Sequence, residues 1–306
     1  MSFTSTVKEE ITRLENNKLE YIAELSSIVR NNATINEEII ITVENNAVAR
    51  RIYKLIKSIY DVTPNITIRK RYNFNTNLSY ILKIKTKKDI ILKDLSIVID
   101  GIYQNIPKNY IINDEECLRA YLRGLFIATG SVNDPKTSRY HLEFIVDNLE
   151  YAEYISTLLN KFYLNSKVIK REKNYMVYVK EAEKISDFLR IINSYNGVMY
   201  FEDIRIYRDH KNMTNRLNNC EQANIDKIFL TAARQLQDIE VLKENDMLDV
   251  LDEKLLEVIK YREEYPESSL QELSEIMSNE LGYEITKSGL NHRFRKIKEI
   301  VSRFNE

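Results

Sequence analysis

Tryptophan is absent from this 306-residue chain, and it holds only two cysteines, three histidines, four prolines and six glycines. Several of these shortages close an option. Cys117 and Cys220 cannot build a disulfide framework, which fits a reducing cytoplasm. His141, His210 and His292, with two widely spaced cysteines, make no zinc site, and neither metal nor cofactor is expected. No apolar run approaches the length needed to cross a bilayer, and the opening MSFTSTVKEE lacks the pattern of a secretory leader. The abundance of Asn, Ile, Lys and Tyr reflects an AT-rich coding genome and says nothing about function. An excess of one charge is also missing, since 45 Lys+Arg face 46 Asp+Glu. Overall charge therefore gives no hint of nucleic acid.

What is present begins with size and charge placement. The length suits two domains, and a 43% hydrophobic content supports real cores. Residues 222–306 carry 12 basic against 18 acidic side chains, while 1–221 carry 33 against 28. Inside that acidic C-terminal part, residues 286–303 hold six basic residues and one acid. A positive helix on a negative domain rejects misplaced DNA better than it binds every phosphate in reach.

The stretch from Pro266 to Phe304 reads as helix, glycine turn, helix. Ser269 and Glu272 form an S-x-x-E capping box, and Leu270, Leu273 and Met277 give the first helix its apolar stripe. Gly282 supplies the left-handed turn, and Thr286 is the expected N-cap of the second helix. Leu290, Phe294, Ile297 and Val301 then face a small core. Ser288, Asn291, His292 and Arg295 point away from it, with Lys287 beside Asn291. This is the pattern of a helix-turn-helix whose second helix enters the DNA major groove. Asn and Arg make bidentate contacts with adenine and guanine edges, so Lys287, Ser288, Asn291, His292 and Arg295 are the base-contacting candidates. Lys296, Lys298 and Arg303 suit phosphates. Gly289 lies inside the helix, where it costs about 1 kcal/mol relative to Ala, and a close approach to the first helix or to DNA would justify it. The bland alternative is a solvated basic face on an ordinary bundle.

The first two hundred residues state one pattern twice, α-β-α-β-β-α, from Lys8 to about Val98 and from Asp114 to about Asn193. The strand pairs are basic. NITIRKRYNF and LSYILKIKT contribute Arg69, Arg71, Lys83 and Lys85, while SKVIKREK contributes Lys170 and Arg171. Lys83 and Lys85 share one face by strand alternation. Two such hairpins about a pseudo-twofold axis would make a concave platform along a duplex backbone, although polar outer faces on half-buried sheets are also ordinary. RDHKNMTNRLNNC, from Arg208 to Cys220, shows no clear periodicity and suits an adjustable interdomain linker. The helical pattern resumes at Ala223.

Within this frame, LRGLFIATGSV (Leu122–Val132) resembles the LAGLIDADG motif of homing endonucleases. SIVRNNATI (Ser27–Ile35) is a weaker first copy, with Ser27 aligned to Gly124. In that family the two motif helices pack closely through small residues, which would account for Gly124 and Ala128. Each motif there also carries an acid just before its final glycine, and those acids bind catalytic magnesium, whose charge needs carboxylate oxygens. The corresponding residues here are Asn32 and Thr129, both neutral. Asp134 lies five residues beyond Thr129, past the expected helix end. The resemblance implies a nuclease fold kept for binding, with no catalytic residues and no metal.

A LAGLIDADG-like domain followed by a helix-turn-helix resembles the WhiA family of bacterial regulators. MSFTSTVKEE, NRLNNCEQANIDK (215–227), PESSLQELSEI and TKSGLNHRFRKI are similar to that family's signatures. The resemblance implies an α+β fold with a duplicated, pseudo-twofold LAGLIDADG-like domain over 1–208 (halves 1–105 and 106–208), a linker at 209–221, and an all-α, sigma-factor-like helix-turn-helix domain over 222–306. It further implies a cytoplasmic, nucleoid-associated regulator of transcription in Gram-positive bacteria. Such a protein would bind double-stranded DNA and serve cell division, chromosome segregation or sporulation septation, without enzymatic activity. No membrane partner is expected, and a monomer suffices. The alternative is an interaction scaffold whose first domain binds a sigma factor or division protein. Tyr200 and Phe201 would serve that surface, although aromatics at such spacing more often pack in a core. An active endonuclease with displaced acids is the third and weakest reading.

Overall fold

The computed structural model describes residues 2–70 and 78–303. Its contacts divide the chain into two compact units, Met1–Arg208 and Asp209–Glu306. In the first, α1 (Phe3–Ile11) precedes α2 (Lys18–Asn32), β1 (Ala33–Ile35), β2 (Ile39–Val43), α3 (Asn46–Tyr60), β3 (Asn65–Lys70), β4 (Leu78–Ile84) and α4 (Lys88–Asp94). A small hairpin of β5 (Val98–Ile99) and β6 (Ile102–Tyr103) and a 3-10 turn at Asn109–Ile112 follow. The order then repeats as α5 (Glu115–Thr129), β7 (Gly130–Val132), β8 (Leu142–Val146), α6 (Leu149–Asn160), β9 (Lys167–Arg171), β10 (Asn174–Val179) and α7 (Ala182–Ile191). The sheets are antiparallel, with strand orders β1-β2-β4-β3 and β7-β8-β10-β9, so the duplication holds strand for strand.

Each half contains one strand more than its sequence pattern indicates. Directly after α2 and α5 the backbone turns extended, at Ala33 (φ −100°, ψ 139°) and Gly130 (φ −72°, ψ 143°), and pairs with β2 or β8. Three residues are too few for alternation to register. Elsewhere alternation decides the faces: Ile39, Ile41, Leu82 and Ile84 are buried, while Lys83 is partly exposed. Arg71, and the end of the strand expected around it, lie outside the described residues.

The core of this unit is organised by the pairing of α2 with α5. Side-chain caps from Asn17 and Asp114 open the two helices, accepting from the backbone N–H of Glu20 and Cys117. They cross so closely that a Cβ added at Gly124 would sit 2.2 Å from the backbone oxygen of Glu24. Beside the crossing the Glu24 carboxylate is fully buried; Arg51 donates to it through Nε at 2.8 Å and Nη2 at 2.9 Å, and Arg123 through Nε at 3.2 Å. Phe201 is buried, and Tyr200 is partly buried with its ring tilted 5.3 Å from that of Phe3, so both aromatics pack on the core.

Helix α8 (Tyr195–Glu244) includes all of residues 209–221, which are exposed and helical, not the irregular linker their composition suggests. Neither Gly nor Pro occurs between Gly197 and Pro266. Once a helix is nucleated, extending it is easy in the absence of a breaker. In the second unit a 3-10 turn (Leu248–Val250) leads to α9 (Glu253–Glu264), α10 (Leu270–Leu281) and α11 (Lys287–Ser302). The capping box forms as the sequence suggests: Glu272 N donates to Ser269 Oγ (3.2 Å) and Ser269 N to Glu272 Oε2 (2.8 Å), and these bonds hold the Glu272 carboxyl below its usual pKa. Gly282 ends α10 at φ +76°, the left-handed conformation. Leu273, Met277, Leu290, Phe294, Ile297 and Val301 close the core with residues of α8 and α9. Buried Arg262 donates to the carbonyls of Tyr265 (3.2 Å) and Ser268 (2.7 Å) and lies 5.5 Å from the Phe294 ring, tying the α9–α10 turn to α11. Among the described residues, no helix is long and apolar enough to cross a membrane.

Replacing Gly124 by Ala separates propensity from packing. Helix propensity alone favours Ala by about 1 kcal/mol, whereas the backbone contact forces α2 and α5 apart and costs about 1–3 kcal/mol. We expect net destabilisation in urea unfolding; a stabilised variant would show that the crossing is looser than described.

Candidate nucleic-acid interface

The second helix of the helix-turn-helix is built from its cap outwards. Thr286 Oγ1 accepts from Gly289 N at 3.1 Å and starts α11. A Cβ at Gly289 would come 3.3 Å from that same hydroxyl, the one near neighbour outside its own helix backbone among the described residues. The glycine therefore makes room for the cap, and the expected close approach to the first helix is not what explains it. Leu290, Phe294, Ile297 and Val301 are buried, as their spacing requires. Lys287, Ser288, Asn291, His292, Arg295, Lys296, Lys298 and Arg303 are all exposed. Lys296 Nζ lies 4.0 Å from Asp252 Oδ2, an exposed pair of small energetic weight that leaves the amine available. Arg293, which the sequence reading left without a role, is turned inward, with Nη1 3.8 Å from Glu257 Oε2.

One neighbour of this face was not foreseen. A groove of about 360 Å³ runs between α11 and the C-terminal part of α8, with Asn291, Arg295 and Lys298 on one side and Arg234, Gln235 and Asp238 on the other. Burial raises the Asp238 carboxyl above its ordinary pKa, and nearby Lys298 partly opposes that shift. Asn291, Arg295 and Lys298 stand at i, i+4 and i+7, and Thr231, Arg234, Gln235 and Asp238 at i, i+3, i+4 and i+7, the spacing of one helix face. That periodicity was present in the sequence, but nothing along the chain says which helix lies against α11.

The basic strand residues divide by face. Arg69 stands opposite Ser79, four pairs along from Lys83 opposite Asn65, so Arg69 and Lys83 project from the same side of the first sheet. Lys83 Nζ is 3.3 Å from Glu38 Oε1, and Lys85 is exposed just beyond the strand. In the second sheet Lys170 pairs with Tyr175 and Arg171 with Asn174, so these adjacent residues take opposite faces. Only Arg171 shares the outer face with Lys167 and Tyr178; Lys170 lies on the side bearing Tyr175 and Val177, and does not belong to one platform with it. On that outer face, among the described residues, Glu143 also appears, 3.1 Å from His141 Nε2.

Asn32 and Thr129 are the last residues of α2 and α5, equivalent positions in the two halves. Asn32 Oδ1 is buried without a hydrogen-bond partner among the described residues, and Thr129 Oγ1 is 3.5 Å from Leu125 O of its own helix. Asp134 lies past β7, where it accepts from Lys136 N (2.9 Å) and Tyr200 Oη (3.3 Å). Magnesium of the kind LAGLIDADG nucleases bind has no fitting donor set among the described residues. The two helix ends are neutral, and among the described residues no group of three His, Cys, Asp or Glu side chains is placed to hold a metal. The cleft beside Asn32, about 870 Å³, is lined instead by Lys8, Glu44, Ser79 and Ala128. Burial lowers the Lys8 pKa to about 8, and Glu44 opposes this only in part. The unfolded chain holds that proton up to about pH 10, so stability should rise as pH climbs from about 8 towards 10. We expect a Lys8 Nζ titration midpoint of about 8 by NMR, and a Lys8→Met variant without this part of the rise. A midpoint above 10 would contradict it.

These elements define a class: a LAGLIDADG-like domain, duplicated and without acids at its helix ends, carried on the same chain as a helix-turn-helix domain. Residues 19–98 match the WhiA N-terminal LAGLIDADG-like domain, 118–211 the WhiA LAGLIDADG-like domain, and 214–301 the WhiA C-terminal HTH domain. The chain belongs to the WhiA family. It is 45% identical over 310 residues to the probable cell division protein WhiA of Bacillus cereus, covering 99% of this chain and 97% of that one. The Bacillus mycoides protein of the same name is 44% identical over the same shares. The crystal structure of full-length DUF199/WhiA from Thermatoga maritima covers 99% of each chain at a TM-score of 0.59 and 24% identity, and shows the same fold. The N-terminal LAGLIDADG domain of DUF199/WhiA matches 63% of this chain and 90% of that one, with a TM-score of 0.52 and 20% identity. None of these names denotes an enzyme.

Proposed function

We propose that this protein is a sequence-specific DNA-binding regulator of transcription that acts in cell division, chromosome segregation or sporulation septation. Its place is the cytoplasm, at the nucleoid, and it cuts no DNA. The observation that carries the reading is the exposed polar face of α11: all five base-contacting candidates point to solvent while the opposite face is buried. In this reading Lys287, Ser288, Asn291, His292 and Arg295 read base edges. Lys296, Lys298 and Arg303 hold phosphates, with Arg69, Lys83, Lys85 and Arg171 adding contacts that depend on salt but not on sequence. The neutral Asn32 and Thr129 support binding without cleavage. The boundaries that go with it are a LAGLIDADG-like domain over 1–208 and a helix-turn-helix domain over 222–306, with 209–221 as a helical connection. The division role rests on the names of the Bacillus relatives.

A protein partner, a sigma factor or a division protein, is a second reading. It is favoured by exposed Met199, Ile206 and Tyr207 on α8, each more than 60% accessible. Loss of a co-purifying division or sigma protein from an Ile206→Glu variant would support it.

The test is titration of the full chain against a duplex selected from a random pool and against an unselected one, across a salt series without magnesium. Arg295→Ala should weaken the selected duplex by about 1–3 kcal/mol and the unselected one far less. Equal losses on both would remove base reading from this helix.

A further inference from the structure

The groove between α8 and α11 lies beside the base-contacting candidates, and the inference drawn from it rests on the helix-turn-helix reading above. Arg234 is exposed, and its guanidinium makes no hydrogen bond or ion pair among the described residues. The groove brings it together with Arg295 and Lys298, which are likewise exposed. Asp238 is the acid on this groove and is the group facing Lys298. Three cations against one partly buried carboxylate leave positive charge with no internal role. A second observation concerns Gln235. Its side chain is 7% exposed and lines the same groove, yet its Oε1 has no hydrogen-bond partner among the described residues. A buried carbonyl left unpaired is costly, and a turn of this side chain towards the groove would present it to an N–H donor of an occupant.

The groove thus asks for two things at once, an anion for its cationic walls and a hydrogen-bond donor for its floor. A nucleotide supplies both, through its phosphate and its exocyclic or ring N–H groups. A bare inorganic anion lacks the donor. Asn291 and Arg295 lie on this groove and also on the face of α11 turned to solvent, so a strand read by α11 passes the mouth of the groove. We propose that α8 is a second DNA-contacting helix, with Arg234 holding a backbone phosphate of the strand that Asn291 and Arg295 read, and Gln235 accepting from the same nucleotide. Arg234 then adds affinity without sequence preference, while α11 provides the discrimination.

The experiment uses the full-length protein, a duplex selected from a random pool by the wild type, an unselected duplex and a mononucleotide. Arg234→Gln should weaken both duplexes by the same several-fold factor and reduce the slope of log affinity against log salt by about one. Arg234→Lys should restore most of that slope. Gln235→Leu should weaken the selected duplex more than the unselected one without changing the slope, because the N–H it accepts belongs to a base. Because Arg234 is exposed and unpaired, the thermal midpoint of Arg234→Gln should match that of the wild type. An unchanged salt slope overturns the proposal. If Arg295→Ala loses affinity for the selected duplex while Arg234→Gln does not, only the role of α8 fails. If the wild type distinguishes no duplex and Arg295→Ala is silent, the helix-turn-helix reading itself fails. A mononucleotide that binds the protein through Arg234, with the DNA salt slope unaffected by Arg234→Gln, assigns the groove to a free nucleotide and also overturns the proposal.

Discussion

The first unit depends on the contact between α2 and α5 at Gly124. Only a hydrogen fits where the backbone of one helix meets the carbonyl of Glu24 on the other. That distance sets how near the two halves stand, and each half hangs its sheet from the helix it contributes. Next to it lies a carboxylate wholly removed from water, that of Glu24, held by Arg51 from its own half and Arg123 from the other. A buried charge group of this kind adds little net stability over a well-packed apolar one, but removing one member leaves uncompensated charge. Its value is positional, since Glu24 joins the two copies at a single register.

The same crossing places Asn32 and Ala128, at the two helix ends, beside one cleft, and the side chains there bear on whether a metal fits. Carboxylates at positions 32 and 129 would concentrate negative charge suited to a divalent cation. Asn32 and Thr129 bring none, and Lys8 places an amine in the adjoining cleft. In the proposed reading the C-terminal unit works by contrast of charge: an acidic body with a basic helix would confine favourable phosphate contact to the face that also carries Asn291 and Arg295.

Much of this was legible in one dimension. The capping box of Ser269 and Glu272, the left-handed turn at Gly282, the cap at Thr286 and the buried face of α11 follow from residue types at fixed offsets, because each is a local interaction within a helical turn or two. The duplication was readable for the same reason, as a repeated order of local patterns. Strands β1 and β7 were not, because three residues carry no periodicity. The helical state of 209–221 was missed because its residues make no core contact, so polarity suggested an irregular linker while the lack of any breaker let the helix run on. Lys170 was grouped with Arg171 on charge, and strand alternation separates them.

The sequence by itself determined the local grammar: where helices begin and end, which face of each is apolar, that the pattern occurs twice, and that residues 32 and 129 are neutral. Tertiary structure alone decided which faces meet. It set Gly124 against Glu24, turned Arg293 inward to Glu257 while leaving Arg295 outside, and laid Arg234 and Gln235 beside Asn291. The reason is physical. Local order depends on dihedral preferences and on hydrogen bonds over a few residues, all encoded in neighbouring letters. Pairings between distant segments are chosen by close packing and by the compensation of buried charge, which exist only once the whole chain has closed on itself.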